Sequence, residues 1–315
     1  MLLFSPNHSA SFARAVAQQL GISLAATEER EFDAGEHKMR TLEDALGQDC
    51  YVIQSLCGDH EASANDKLCR LLFFCGSLKD AGAARVTACV PYLAYARKDR
   101  RTQPNDPVST RYVAALFEAV GIDRVVVLDV HNEVAFDNAF RCMTIRLEAM
   151  ATFADHLLTS PAAQDIVVAS PDTGGIKRAQ RFRETLEARL GRAAGFAFME
   201  KRHAQGIVSG KTFVGDVEGH DVVMLDDMIA SGTTIMRATA AARAAGARRV
   251  LVLASHAAFL PPARQLFEPE GPDQILVSDS VTIAPAFKPF LAQRLHVCSV
   301  APLFATTIRD LVGHN

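Results

Sequence analysis

Short, continuously apolar runs recur along the chain and alternate with longer segments in which the apolar residues follow a helical spacing. The runs begin at Tyr51, Arg85, Arg124, Asp165, Gly195, Asp221, Arg249 and Gln274. Most are apolar at nearly every position, as expected of strands covered on both faces in a parallel sheet. The intervening segments, such as NDKLCRLLFFCGSLKDAG from Asn65 and STRYVAALFEAVG from Ser109, end at a glycine, a usual stop signal for a helix. This alternation predicts an α/β fold.

A repeated hexapeptide indicates two domains of similar construction. AGAARV (81–86) reappears as AGARRV (245–250), each time between a helical segment and an apolar strand. Ala-Gly-Ala is also a common helix end, so the hexapeptide alone leaves chance similarity open, but the matching order of elements favours duplication. A chain of 315 residues fits two domains at roughly 100–200 residues each. We predict domains at 1–145 and 146–315, joined near Arg141–Glu148, with the last ~25 residues packing on an apolar face of either domain.

Composition and charge exclude several classes of protein. The chain is 49% hydrophobic and 22% charged, which favours a packed core over disorder, and its net charge of −3 argues against a dedicated nucleic-acid surface. We identify no signal peptide and no apolar run long enough to span a membrane. The seven cysteines include no C-x-x-C pair, and several lie in apolar stretches. We therefore expect a reduced, cytoplasmic protein without nucleic-acid or membrane partners.

The stretch DVVMLDDMIASGTTI (221–235) holds the clearest candidate site. Asp226 and Asp227 follow an apolar run directly, and ligands of open α/β sheets gather at strand ends. Small and hydroxyl residues come next: Ser231, Gly232, Thr233 and Thr234. Such residues, with a helix predicted to begin near Thr234, allow backbone N–H groups to bind an anion. An N-capped helix would explain one of these residues but not the whole series, so a sugar phosphate is the favoured ligand.

This stretch resembles the phosphoribosyl-diphosphate motif of the type I phosphoribosyltransferase fold. Further stretches are similar, in order, to motifs of the ribose-phosphate diphosphokinases, also called phosphoribosyl-diphosphate synthetases: PYLAYARKDRRTQPNDPVS from Pro91, VLDVHNEVAFD from Val127 and SPDTGGIKRAQRF from Ser170. The resemblance covers most of the chain and implies two similar parallel-sheet domains of the type I phosphoribosyltransferase kind. It also implies transfer of the diphosphoryl group of Mg-ATP to O1 of ribose 5-phosphate, with release of AMP.

The resemblance places ATP on the N-terminal domain. The implied ATP-binding residues are Phe32, Glu36, Arg97, Lys98, Asp99 and His131. Phe32 would stack on the base and Glu36 would accept a hydrogen bond from it. Both lie in FDAGE, similar to a loop that a neighbouring subunit donates in this family, which implies a homo-oligomer (dimer or hexamer) with shared sites. A basic run such as 97–101 is otherwise often a solvated surface.

The implied cofactor is Mg²⁺, bound by Asp172 and His131. Mg²⁺ prefers oxygen ligands and keeps several waters, so one or two protein ligands suffice. A histidine is an unusual ligand for it, and local hydrogen bonds could instead satisfy His131. Lys201, in MEKRHAQGIVSG (199–210), would contact the transferring phosphates as the catalytic cation, although a lysine at a strand end is otherwise most often solvated.

The implied ribose 5-phosphate site departs from the family pattern. Its residues are Asp226, Asp227, Ala230, Ser231, Gly232, Thr233, Thr234 and His203. Ala230 stands where aspartate is usual and His203 where arginine is usual. Elsewhere, Lys98 replaces a common glutamine and Ala34 a common aspartate.

These departures leave two alternatives to an active synthetase. One is a catalytically weak regulatory homologue that associates with an active enzyme. The other is a phosphoribosyltransferase, which does not account for the YARKDR and VHN segments. Asp44, Leu46 and Asp80 stand at the family's regulatory polyphosphate positions, where they repel or ignore an anion. We therefore expect weak or absent allosteric inhibition by ADP and little activation by phosphate.

Overall fold

The chain folds as two compact units, described by a computed structural model over residues 1–159, 165–204 and 207–313, with the side chains of 200–212 excluded. Unit 1 comprises Met1–Leu147 and Val300–Asn315, and unit 2 comprises Glu148–Ser299. Each unit contains a mainly parallel sheet with helices packed against it. The predicted α/β class is therefore confirmed.

The strands and helices have the following bounds. The strands are β1 (Leu2–Phe4), β2 (Thr27–Glu31), β3 (His37–Thr41), β4 (Asp49–Ile53), β5 (Arg85–Val90), β6 (Arg124–Leu128), β7 (Met143–Leu147), β8 (Ile166–Ser170), β9 (Gly195–Ala204), β10 (Ile207–Val214), β11 (Asp221–Met228), β12 (Arg249–His256), β13 (Gln274–Ser278) and β14 (Leu295–Cys298). The helices are α1 (Ala10–Leu20), α2 (Ala64–Asp80), α3 (Ser109–Ala119), α4 (Glu133–Ala139), α5 (Met150–Leu158), α6 (Ile176–Leu190), α7 (Thr233–Ala244) and α8 (Ala301–Gly313).

Unit 1 is built on a five-stranded sheet of order β1-β4-β5-β6-β7, in which every neighbouring pair is parallel. β2 and β3 form a separate antiparallel ribbon. The central strands β4, β5 and β6 are buried apart from the first residues of β4 and β5, as their continuous apolar sequence predicts. The C-terminal helix α8 belongs to this unit and packs on α1, where the rings of Phe12 and Phe304 meet edge to face at 5.4 Å.

Unit 2 is built on a seven-stranded sheet of order β10-β9-β8-β11-β12-β13-β14. All neighbours are parallel except β9 and β10. From β8 the chain first adds β9 and β10 on one side and then adds β11 to β14 on the other. The order therefore reverses between β8 and β11, the kind of position where open α/β sheets bind ligands.

The two units repeat the same ion pair at the start of two neighbouring strands. Asp49 on β4 is in register with Arg85 on β5, and the carboxylate and guanidinium lie 3.5 Å apart. Asp221 on β11 is in register with Arg249 on β12, at 2.5 Å. The arginines belong to the repeated hexapeptides AGAARV and AGARRV.

A second repeated contact involves the residue after each arginine. The Val86 N–H donates to Asp123 Oδ2 at 2.7 Å, and the Val250 N–H donates to Asp273 Oδ2 at 2.8 Å. Within each hexapeptide a glycine has a positive φ, 82° in unit 1 and 88° in unit 2. Because register, charge and backbone conformation all recur, the internal similarity reflects a duplicated unit and not a chance helix end.

The apolar pattern located the covered strands but not the edges of the sheets. Each run named above forms a strand, whereas β1, β7 and β14, which are three to five residues long, carried too little pattern to be recognised. β7 occupies residues assigned to the join between domains, and β10 occupies part of the stretch similar to a catalytic loop.

Two further expectations concern cysteines and membranes. Each of the seven cysteines is a free thiol, and burial raises the pKa of Cys57 to about 11. Within the described ranges, no helix has both the length and the apolar character needed to cross a bilayer.

Candidate functional site

The candidate site in unit 2 lies where the ends of β8 and β11 meet at the reversal of strand order. β8 and β11 pair in parallel up to Ala169 and Met224, so Ser170 and Leu225 lead side by side into the two loops that follow. One loop is SPDTGG (170–175) and the other begins at Asp226. Two motifs separated by about 50 residues are thus joined by the order of strands in the sheet, as expected of a switch-point site.

The acidic pair occupies the last part of β11. Asp227 is buried, with 5% of its surface exposed, while Asp226 is half-buried and its Oδ1 accepts the Asp227 N–H at 2.9 Å. Burial, followed by the adjacent Asp227 charge, raises the pKa of Asp226 well above its ordinary range. Two carboxylates this close have a marked need for hydrogen-bond donors or cations.

A cation reaches both carboxylates from α6. Arg178 Nη1 lies 3.3 Å from Asp227 Oδ1 and 3.6 Å from Asp226 Oδ1. Arg178 belongs to the quoted motif SPDTGGIKRAQRF but was not among the predicted site residues. The sequence feature that could have identified Arg178 is a basic residue in the first turn of a helix, where the helix dipole disfavours positive charge.

The loop between β11 and α7 is held from below by residues 260–266. The Leu260 N–H donates to the Ala230 carbonyl and Gln265 Nε2 donates to the Ser231 carbonyl, both at 3.0 Å. Gly232 has φ +76°, and a Cβ there would stand 2.8 Å from Leu266 Cδ1, so the loop needs glycine. The supporting residues are far away in sequence, and no local pattern predicted them.

The same loop opens α7 with hydroxyls and without acid. Gly232 is the N-cap residue, and the first turn has no acidic side chain. Ser231 Oγ and Thr233 Oγ1 lie 3.1 Å apart, and Thr234 follows in the first turn. An N-terminal turn whose N-cap residue provides no side-chain cap, with hydroxyls nearby, suits a phosphate. The helix predicted to begin near Thr234 begins at Thr233.

Asp172 is placed to bind a cation with one carboxylate oxygen. Its Oδ1 accepts the N–H groups of Gly174 and Gly175 at 2.9 and 3.1 Å, and Oδ2 accepts no hydrogen bond from the described residues. The part of the chain that the structure describes contains no cluster of three or more ligating side chains. One oriented carboxylate fits Mg²⁺, which binds through few protein ligands together with water and substrate phosphates.

In unit 1, two of the predicted ATP-binding segments follow neighbouring strands and are joined by a hydrogen bond. Arg97, Lys98 and Asp99 follow β5, and His131 follows β6. Asn132 Nδ2 donates to Asp99 Oδ2 at 2.5 Å. Arg97 and His131 are both exposed to solvent.

Lys98 is engaged within its own loop. Its ammonium lies 2.6 Å from Asp106 Oδ2 and holds the pKa of that carboxyl below its usual range. Thr110 Oγ1 donates to the Tyr95 carbonyl at 3.0 Å and ties the loop to the start of α3. The lysine that replaces a common glutamine therefore has a structural partner in the loop.

The predicted adenine loop forms the tip of the β2–β3 ribbon. Phe32 is 41% exposed, the Arg30 guanidinium lies 5.0 Å from its ring centre, and Glu36 is exposed as well. Ala34 has φ +64°, a region that asparagine and aspartate enter more readily than alanine. The tip thus places an alanine in a backbone conformation to which alanine is poorly suited.

Two predicted residues cannot be compared with the structure. Lys201 and His203 belong to β9, but their side chains lie outside the described residues.

Sequence comparisons relate the whole chain to known proteins. Family models match the N-terminal domain of ribose phosphate pyrophosphokinase over residues 1–121 and a phosphoribosyl synthetase-associated domain over residues 208–315. The ribose-phosphate pyrophosphokinase of Helicobacter hepaticus is 34% identical, covering 99% of this chain and 96% of its own length. That of Corynebacterium glutamicum is 33% identical, covering 99% of this chain and 92% of its own length.

A solved structure shows the same fold over the full length. The phosphoribosylpyrophosphate synthetase of Mycobacterium smegmatis has a TM-score of 0.88 and 30% identity, covering 100% of this chain and 99% of its own. The predicted fold of two parallel-sheet domains of the type I phosphoribosyltransferase kind is therefore confirmed.

Proposed function

The chain belongs to the ribose-phosphate pyrophosphokinase family and is an enzyme of phosphoribosyl diphosphate synthesis, and from that premise we propose the reaction in detail. The enzyme transfers the diphosphoryl group of Mg-ATP to O1 of ribose 5-phosphate and releases AMP. The observation that carries the proposal is the acidic pair Asp226–Asp227, which lies at a strand-order reversal directly before a hydroxyl-rich helix start.

The ribose 5-phosphate contacts follow from charge. The carboxylates of Asp226 and Asp227 accept hydrogen bonds from ribose hydroxyls. The phosphate binds the backbone N–H groups and hydroxyls of the loop from Ala230 to Thr234. Together these contacts fix the sugar at both ends, so that O1 is held in a defined orientation for an in-line attack.

We assign the ATP contacts to residues of unit 1. The metal contacts are assigned to one residue of VLDVHNEVAFD and one residue of SPDTGGIKRAQRF. Arg97, Lys98 and Asp99 bind the nucleotide, and Phe32 and Glu36 bind the base. Mg²⁺, held by Asp172 and His131, would neutralise phosphate charge when bound. Lys201 supplies a permanent cation to the transferring phosphates. The exposure of Phe32 and Glu36 at a ribbon tip supports a homo-oligomer with shared sites. We place the enzyme in the cytoplasm, where its family resemblance puts it.

The decisive experiment measures AMP release from several nucleoside triphosphates, with and without ribose 5-phosphate and Mg²⁺. We expect AMP only when all three components are present, with ATP as the preferred donor. Lys201→Ala provides the negative control: it should lose most turnover while its thermal unfolding matches that of the wild type.

The same assay separates the regulatory alternative, which the substitutions at Ala230 and His203 favour. If the pure protein released no AMP but increased turnover when mixed with an active relative, the proposed activity would be replaced by a regulatory one. The phosphoribosyltransferase alternative predicts that a free base is consumed. We expect no consumption of free nicotinic acid, purine bases or pyrimidine bases.

A further inference from the structure

We propose that Arg178 is a positioning residue for the reaction: it holds the carboxylates of Asp226 and Asp227 in the orientation that accepts hydrogen bonds from ribose hydroxyls. The inference rests on the proposed role of the acidic pair in binding ribose 5-phosphate. It adds a residue from a different motif, on the helix that follows β8, to the function of the pair at the end of β11.

The geometry supports a role for Arg178 toward both carboxylates. One nitrogen, Nη1, lies within 3.6 Å of an oxygen from each residue, so a single cation is shared by the pair. The arginine side chain is 21% exposed and the Asp227 side chain 6%, so solvent screens the interaction only in part. The hydrogen bond from Arg178 Nη1 to Asp227 Oδ1, at 3.3 Å, gives the cation a fixed direction toward the pair.

The placement of the arginine within α6 is costly without these partners. The helix begins at Ile176, and its first turn contains no acidic residue. A cation in the first turn opposes the helix dipole, which favours negative charge there. The buried face of α6, with Ala179, Phe182 and Leu186, faces the sheet and fixes where Arg178 emerges. At Arg178 the dipole cost is offset by the two acids on β11.

The ionisation of the acidic pair gives a second reason to assign this role to Arg178. Burial and the Asp227 charge raise the pKa of Asp226, and the Arg178 charge opposes that increase. Without the arginine, one carboxyl would retain a proton more readily, and a protonated acid accepts fewer hydrogen bonds from the sugar.

The test uses three variants and two sugar phosphates, with binding measured by calorimetry in the presence of Mg²⁺ and a non-hydrolysable ATP analogue. Arg178→Gln should weaken ribose 5-phosphate binding about 10-fold, the order expected when a charged hydrogen-bond partner is lost. 2-Deoxyribose 5-phosphate lacks one of the hydroxyls and should lose less affinity. Arg178→Lys should recover part of the binding. The KM for ATP should stay within about twofold of the wild-type value, because the pair contacts the sugar.

Arg189→Gln is the matched control. Arg189 lies on the same helix about three turns away and pairs at the surface with Asp155 at 2.5 Å. Its substitution removes the same charge from α6 and should leave binding of both sugar phosphates unchanged.

The outcomes separate this inference from the proposed function. Wild-type protein that fails to bind ribose 5-phosphate would overturn both. Wild-type binding together with unchanged binding by Arg178→Gln, or with equal losses for the two sugar phosphates, would overturn the inference alone. If Arg178→Gln does not fold, Arg178→Lys decides in the same way: a larger loss for ribose 5-phosphate than for its deoxy analogue supports the inference, and equal losses overturn it.

Discussion

Asp226 and Asp227 are neighbours in sequence but differ in environment. Asp227 is buried in the strand, whereas Asp226 retains some exposure at its end. Burial and the adjacent charge make the ionised form of Asp226 unfavourable in the folded protein. If the pair binds ribose as we propose, the site is maintained at a cost in stability, because the sugar hydroxyls that would relieve it are absent before substrate binds.

Asp226→Asn should therefore stabilise the free protein at neutral and alkaline pH. The raised pKa means that the folded state holds the proton more tightly, so the wild-type carboxyl contributes stability at acidic pH and loses it as the pH rises through that pKa. We expect the variant to be more stable by roughly 1 kcal/mol at pH 8, and by less at pH 5, in thermal or urea unfolding. The KM for ribose 5-phosphate should rise more than that for ATP. A less stable variant at pH 8 would contradict the first expectation. A larger effect on the KM for ATP than on that for ribose 5-phosphate would mean that the assignment of the two subsites is reversed.

At the scale of elements, the turn from β11 into α7 is supported by residues 260–266, a segment that is distant from it in sequence. Leu260 and Gln265 bond its carbonyls and Leu266 fills the space beneath Gly232. Because Leu266 is fully buried, it has little room to move aside. The loop that we propose to bind the phosphate is therefore braced before ligand arrives, which would limit the entropy lost on binding.

Gly232→Ala should disturb this loop. The new Cβ would lie 2.8 Å from both Cγ and Cδ1 of Leu266, and the residue has a positive φ of 76°. We expect a loss of about 1–3 kcal/mol in unfolding free energy and a raised KM for ribose 5-phosphate. Gly219→Ala is the control, since its φ is +72° but no atom lies within 4 Å of a Cβ there. Equal effects of the two substitutions on KM would show that the packing against Leu266 is unimportant.

The start of β11 carries a different kind of acidic residue, Asp221, which stabilises the folded protein. Asp221 is buried at the first position of the strand and accepts bonds from Arg248 at 2.9 Å and Arg249 at 2.5 Å. Burial would raise the pKa of Asp221, but the two arginines outweigh burial and lower it. A lowered pKa contributes stability above the ordinary value and loses it as the pH falls through the folded-state value.

Asp221→Asn should accordingly destabilise unit 2 by about 1–3 kcal/mol at pH 7, toward the lower end because both arginines can reach water. The difference from the wild type should shrink in acid below the ordinary pKa of 3.8. Urea unfolding at several pH values checks this, with the exposed Asp216→Asn as the comparison. A difference that persists undiminished in acid would assign the effect to packing instead of charge.

At the scale of the whole molecule, the duplication separates structural acids from functional ones. Asp49 and Asp221 occupy equivalent strand starts and pair with equivalent arginines. The strand ends differ: β11 carries the acidic pair, whereas β4 ends in Tyr51, Val52 and Ile53. The same framework can therefore carry a different proposed site in each unit, because the loops at the carboxyl ends of its strands vary.

Regulation by phosphate and ADP is also a property of the whole molecule, and we expect it to be weak. At the positions similar to the family's polyphosphate site, Asp44 Oδ1 accepts the Leu46 N–H at 3.0 Å, Leu46 is 69% exposed, and Asp80 ends α2. An anion would meet carboxylates and an apolar side chain there. Initial rates should therefore vary little across phosphate concentrations, and ADP should act only in competition with ATP. A many-fold rise in rate with phosphate, from a near-zero starting value, would refute this.

The sequence by itself determined the covered strands, the repeated hexapeptides and the acidic and hydroxyl residues of the loop from 226 to 234. These features are legible because they are local: a strand buried on both faces must be apolar throughout, and a helix start that binds an anion needs small and hydroxyl residues. The roles of Lys201 and His203 stay predictions, since their side chains lie outside the described part of the chain.

Only the tertiary structure decided which motifs meet. Arg178 reaches the acidic pair because β8 and β11 are neighbours, and Gln265 and Leu266 support the loop because the segment after β12 packs beneath it. The pattern of apolar residues specifies that a strand is buried but not which strand lies beside it. The short edge strands escaped prediction because three to five residues carry too little pattern, and in β7 and β14 polar residues also interrupt the apolar run.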